Sequence, residues 1–143
     1  MSYTQLLYHI VFSTSHRRPT ITETHSEELY RLINHILKRE NCTLHSIGGI
    51  ENHIHILASV PPDKTLSKIV QNIKRETSLV LANHESFPLW DGWNEGYGAF
   101  SCSWADREAV TNYIKRQKEH HIRISVNDEI REFLREYGFQ YSK

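Results

Sequence analysis

The stretch "ENHIHIL" at 51–57 sets His53 and His55 one residue apart inside an apolar run. In a β-strand, residues i and i+2 share a face, so the two imidazoles stand side by side while Ile54 and Ile56 turn the other way into a core. Histidine–x–histidine on one strand is a common way to offer two imidazoles to a divalent cation. The plain alternative is two half-exposed histidines on a solvated strand. Two nitrogen ligands also make a poor site, so a third donor is needed.

The segment "DREAVTNYIKRQKEHH" (106–121) offers one. Tyr113 and Gln117 are four residues apart and lie one above the other on a helical face, beside a face buried by Val110, Ile114 and His121. Taken singly, such a tyrosine is a packing residue and such a glutamine is solvated. Taken with the histidine pair, they describe a device. A metal held by His53, His55 and the Gln117 amide oxygen could polarise a phosphate oxygen, with Tyr113 one turn away as nucleophile. A phenol of pKa near 10 is only about 0.1% ionised at neutral pH. The metal or a nearby base must therefore favour the phenolate or stabilise the attacking transition state. A phosphotyrosine keeps the energy of the phosphodiester in an ester that a free 3′-hydroxyl can attack, which suits rejoining DNA better than degrading it.

The elements that must carry these residues can be read from pattern. "YTQLLYHIVFST" (3–14) is rich in β-branched and aromatic residues and reads as a strand, apolar on both sides. Leu6, Tyr8, Ile10 and Phe12 lie on one side, Leu7 and Val11 on the other. Read as a long unprotected edge, it invites pairing with a second chain. A helix follows from Thr22 or Thr24 to Glu40, then strands at 42–50 and 53–60 joined by a short turn near Glu51-Asn52. A second helix covers roughly 65–83, with Leu66, Ile69, Val70, Ile73, Val80 and Leu81 as its buried side. Its polar stripe of Lys68, Gln71, Asn72 and Arg75 reads first as a solvated face. A fourth strand lies near 96–103, a helix runs from Ala105 or Asp106 to about His120, and a last short helix begins near Asn127. The order β-α-β-β-α-β plus C-terminal helices is α+β: the ferredoxin-like split βαβ sandwich with an antiparallel sheet, the tyrosine riding on an added helix.

Bulk properties set outer bounds. The 143 residues suit one domain, 1–143, with a substantial core. With 17 Lys+Arg against 17 Asp+Glu, any nucleic-acid contact must come from local patches rather than net charge. Candidates are Arg17 and Arg18 in the turn "HRRP", and Lys68, Lys74 and Arg75 on the second helix; the plain reading of each is solubility. No apolar run approaches the ~20 residues of a membrane span. The N-terminus lacks the charge and cleavage pattern of a signal peptide. Cys42 and Cys102 fit no metal spacing, and as lone thiols they suit a reducing cytoplasm.

"HIH" at 53–55 and "YIKRQKEHH" at 113–121, with "YHIVFSTSHRRP" (8–19), "GGIENHIHILASVPP" (48–62), "IKRETS" (73–78) and "GYGAFSCS" (96–103), together carry a specific likeness. The chain resembles the single-tyrosine HUH transposases of the IS200/IS605 group, the TnpA-type proteins, in motif order over nearly its whole length. That resemblance implies a metal-dependent transferase of single-stranded DNA with hairpin ends. It implies Tyr113 as nucleophile, forming a 5′-phosphotyrosine and releasing a 3′-hydroxyl. His53, His55 and Gln117 are then the metal ligands, and Mg2+ or Mn2+ the ion. It further implies a homodimer whose sheets join, with a tyrosine helix able to serve either subunit's histidines, and a cytoplasmic protein associated with the nucleoid when bound to DNA. Asn52 stands where many relatives have aspartate. Three other readings compete: a domesticated transposase of repeated extragenic palindromes, a non-catalytic nucleic-acid module, and a small metal-dependent hydrolase. The RNP1-type run of an RNA-recognition sheet is missing, which disfavours that form of the module.

Overall fold

The computed structural model describes residues 2–117 and Arg131. Its elements follow in the order β1 (Leu7–Ser13), α1 (Ser26–Arg39), β2 (Thr43–Ile50), β3 (His53–Ser59), α2 (Leu66–Leu81), β4 (Gly98–Cys102) and α3 (Arg107–Lys115). Short 3-10 turns precede α1 and α3. Among the described residues the sheet is antiparallel throughout, with strand order β2-β3-β1-β4. This is the α+β arrangement expected from the sequence. The helix anticipated near Asn127 and the burial expected of His121 fall outside the described residues, whereas the tyrosine helix, expected to run to about His120, ends as α3 at Lys115 with Arg116 as its cap.

Helix α1 forms because Leu29, Ile33, Ile36 and Leu37 make one buried stripe, with Glu27 and Glu28 at its positive end and Lys38 and Arg39 at its negative end. It stops where Asn41 takes a left-handed conformation (φ 60°) and the Cys42 amide returns to the Leu37 carbonyl. Helices α1 and α2 pack on one face of the sheet, sealing Ile10, Phe12, Ile54 and Ile56 against Ile69, Val70 and Ile73. A bidentate Arg39–Glu76 pair links the two helices at their surface. On the opposite face lies α3, whose Ile114 packs on Leu7 and Leu57. Period-2 alternation therefore divides β1 and β3 between a dry core below and a second, smaller layer above.

Three details differ from the sequence reading. Strand β1 lies between β3 and β4, so it is an interior strand and the edges are β2 and β4. A strand apolar on both faces is what a central position covered on both sides requires, and that pattern outweighs the edge reading. Val80 is 47% exposed, because the loop carrying Phe87 and Trp90 folds over the Leu81 and Ser78 side of the last turn of α2 instead. Asn72 is buried rather than solvated, its amide donating to Glu40 Oε1 at 3.0 Å and tying α2 to the end of α1.

Candidate metal and nucleophile site

His53 and His55 project from β3 onto the face that α3 covers, and both are almost fully buried. Their ring centroids are 5.0 Å apart. Alternation puts them there: Ile54 and Ile56, the residues interleaved with them, fill the core on the other side. The strand register then sets their neighbours, with Ser13 opposite His53 and Val11 opposite His55 on β1, and Gly48 opposite His55 on β2.

Helix α3 and the residue just past its Arg116 cap bring the remaining groups. Gln117, buried to 1% exposure, places Oε1 3.2 Å from His53 Nε2, and its Nε2 donates to the Tyr113 carbonyl at 3.4 Å. Tyr113 is half-buried, with its ring centroid 5.7 Å from that of His55 in an edge-on arrangement. The residues singled out for chemistry thus converge, and they do so within one chain. The helix can lie this low because Gly48 has no side chain: a Cβ there would stand 2.8 Å from the Ile114 carbonyl oxygen. Across β1, a cavity of about 180 Å³ opens between Val11, Ser13, Arg17, Tyr97 and Phe100, next to the histidines' cross-strand partners.

Two imidazoles and an amide oxygen form a neutral donor set suited to a divalent ion that retains oxygen ligands from elsewhere. Among the described residues no three His, Cys, Asp or Glu side chains gather around a common point. Gln117 Oε1, 3.2 Å from His53 Nε2, is the amide oxygen that could serve as a third donor here.

A further histidine escaped the sequence reading. His9, wholly buried on β1, sits with its Nε2 3.0 Å from His55 Nδ1 and its ring 6.4 Å from that of Tyr113. The available signal was parity: His9 shares a face with Leu7 and Val11, opposite Ile10 and Phe12. Only the strand order shows that this face is the one bearing His55. Asn52, at the turn before β3, has its Oδ1 2.9 Å from His53 Nδ1.

The basic residues are scattered. Arg17 lines the cavity beside the histidines, whereas Arg18 pairs with Asp91. Lys68 and Arg75 are exposed on α2, a helix on the far side of the sheet from α3. Lys74 is committed to structure: its ammonium donates to the carbonyls of Asn94 and Gly96 and lies 5.4 Å from the Phe12 ring centroid. Burial pushes its pKa down, with Glu95 opposing. No helix among the described residues is long and apolar enough to cross a membrane.

Comparison with known proteins agrees with this architecture. The family model described as "Transposase IS200 like" matches residues 2–117. The ISDra2 transposase TnpA of Deinococcus radiodurans is 22% identical over 120 residues, spanning 80% of this chain and 86% of that protein. A crystal structure of a Deinococcus radiodurans protein described as a transposase superimposes with a TM-score of 0.61 at 20% identity, over 81% of this chain and 93% of the other. A REP-associated tyrosine transposase bound to a REP hairpin superimposes with a TM-score of 0.65 at 14% identity, over 85% of this chain and 72% of the other.

Proposed function

The chain belongs to the IS200-like transposase family, and from that premise we propose that it cleaves and rejoins single-stranded DNA through Tyr113. The observation that carries this reading is the meeting of two chemistries at the end of α3: Tyr113 on the helix beside His55, and four residues later, just past the Arg116 cap, Gln117 Oε1 at 3.2 Å from His53 Nε2.

Tyr113 Oη attacks the scissile phosphorus while the bond to the 3′-oxygen breaks. The phenol gives up its proton, the departing 3′-oxygen gains one, and the 5′-phosphate stays on the tyrosine. Reversal by a different 3′-hydroxyl joins a new strand and frees Tyr113. His53, His55 and Gln117 would hold Mg2+ or Mn2+, which when bound supplies Lewis-acid polarisation of the phosphate. Arg17, which lines the cavity together with Val11 and Ser13, is a candidate for steering the strand; Arg18, Lys68 and Arg75 are further candidates for phosphate contact.

The substrate in this reading is single-stranded DNA with hairpin ends. Handling two ends calls for two such sites, hence a homodimer, and β2 and β4, the edge strands among the described residues, are the candidates for joining. The cytoplasm and nucleoid are the matching location. A second reading, action on host palindromes, draws support from the likeness to the hairpin-bound REP-associated structure. Imperfect palindromes at both ends of the gene favour an element transposase, and their absence beside scattered genomic copies favours the second reading. The core proposal is tested by incubating the protein with single-stranded DNA and Mn2+, then looking for a denaturation-resistant adduct that maps to Tyr113.

A further inference from the structure

We propose that His9 and Asn52 are the positioning residues of this site. Each accepts the Nδ1 proton of one histidine, His55 and His53 respectively, and so leaves both Nε2 lone pairs for the ion. The inference rests on the metal-site reading above and adds to it two residues that fix which nitrogen is available.

Consider His53 first. The Asn52 amide is oriented by its Nδ2, which donates to the Arg17 carbonyl at 3.3 Å. Its Oδ1 therefore faces His53 Nδ1 at 2.9 Å. An amide oxygen only accepts, so the proton of this bond belongs to His53 Nδ1. In the neutral ring, Nε2 then carries a lone pair. It faces Gln117 Oε1, another acceptor, at 3.2 Å, and the Gln117 amide is turned that way because its Nε2 donates to the Tyr113 carbonyl. In that tautomer both facing atoms present lone pairs, an arrangement that a bound cation would satisfy.

His55 poses the same problem with a different partner. Its Nδ1 and His9 Nε2 are 3.0 Å apart and must share one proton. If His9 donates, the remaining proton of neutral His55 sits on Nε2 and blocks coordination. If His55 donates, Nε2 is open and His9 carries its own proton on Nδ1. Packing fixes the His9 ring at this distance in either tautomer, since the residue is 0% exposed with its ring 5.2 Å from that of His55 and 6.4 Å from that of Tyr113; the metal-site reading is what selects His55 as the donor. Ligand histidines commonly donate their second nitrogen to an outer partner in this way, which fixes tautomer and ring angle.

The test reads tautomers in the metal-free protein by long-range proton–nitrogen correlation with labelled histidine. The expected wild-type result is Nδ1–H at neutral His53 and His55. His9→Leu removes the acceptor. It is expected to shift His55 toward Nε2–H and to weaken Mn2+ binding by roughly 10–100-fold in calorimetry. His9→Gln, which returns an amide oxygen to the place of Nε2, is expected to restore both. Asn52→Leu should do to His53 what His9→Leu does to His55, while Asn52→Asp keeps the acceptor and the tautomer. Wild-type His55 found as Nε2–H, or unchanged Mn2+ affinity in both leucine variants, overturns the inference. Should a leucine variant not fold, the wild-type tautomers decide alone. Mn2+ affinity that survives His53→Ala with His55→Ala instead overturns the metal-site reading beneath it.

Discussion

Gly48 lies under the carbonyl of Ile114, so close that a Cβ at position 48 would stand 2.8 Å from that oxygen. The absent side chain lets α3 rest on β2 beside His55, and so sets the depth at which Tyr113 and Gln117 reach the histidines. Gly48→Ala must push the helix backbone outward, because the obstacle is main chain and not the end of a flexible side chain. The expected cost is about 1–3 kcal/mol in denaturant unfolding, with a loss of DNA cleavage much larger than that stability change accounts for at assay temperature. Full cleavage in a folded Gly48→Ala protein would show that helix depth is not critical.

The metal ligands differ in replaceability. His53→Ala with His55→Ala should abolish cleavage and reduce Mn2+ binding below detection in calorimetry, since one amide oxygen holds an ion poorly. Gln117→Ala should weaken binding less, because water replaces a neutral amide oxygen at little loss. Equal effects of Gln117→Ala and the double substitution would mean that the amide is the dominant ligand.

Basic residues should separate by their surroundings. Arg17→Ala, beside the cavity next to the histidines, should lower the log–log salt slope of DNA affinity by about one unit. Arg75→Ala tests whether the far helix also meets phosphate, and the same reduction is expected if the strand wraps that surface. Lys74→Ala should instead lower stability and loosen the 94–96 segment that its ammonium holds, with the salt slope unchanged. A reduced slope for Lys74→Ala without a stability change would return it to the DNA-contacting set.

Because Tyr113, Gln117 and both histidines come together within one chain, mixing Tyr113→Phe protein with His53→Ala protein should give no recovery of cleavage. Every site in the mixture then lacks either its nucleophile or a ligand. Recovered activity would mean that the tyrosine helix crosses to a partner in the working assembly.

Much of the site was legible because it rests on short-range periodicity. Period 2 puts His53 and His55 on one face, and the i, i+4 spacing stacks Tyr113 and Gln117; neither inference needs to know the sheet. What depended on strand order was harder to read. His9 looks like an isolated polar residue in "YHIVF" until β1 is known to pair with β3, and Gly48 is only half of a glycine pair until α3 is seen above it. The same gap misplaced β1 at an edge. Its two apolar faces reported burial on both sides, while the edge argument assumed an exposure that nothing in the strand itself encodes. Asn72 reads as solvated by helical angle, and only the end of α1, arriving with Glu40, makes it buried.

The covalent step through Tyr113 is open to one direct measurement. Protein is incubated with Mn2+ and single-stranded DNA carrying the element ends, denatured, and digested, and the DNA-linked peptide is identified by mass spectrometry. The expected result is a single 5′-phosphotyrosine at Tyr113, with no adduct from Tyr113→Phe protein that still binds the same DNA. Adduct of undiminished yield from Tyr113→Phe, or cleavage that leaves a free 5′-phosphate with no linked peptide at any time, would contradict it.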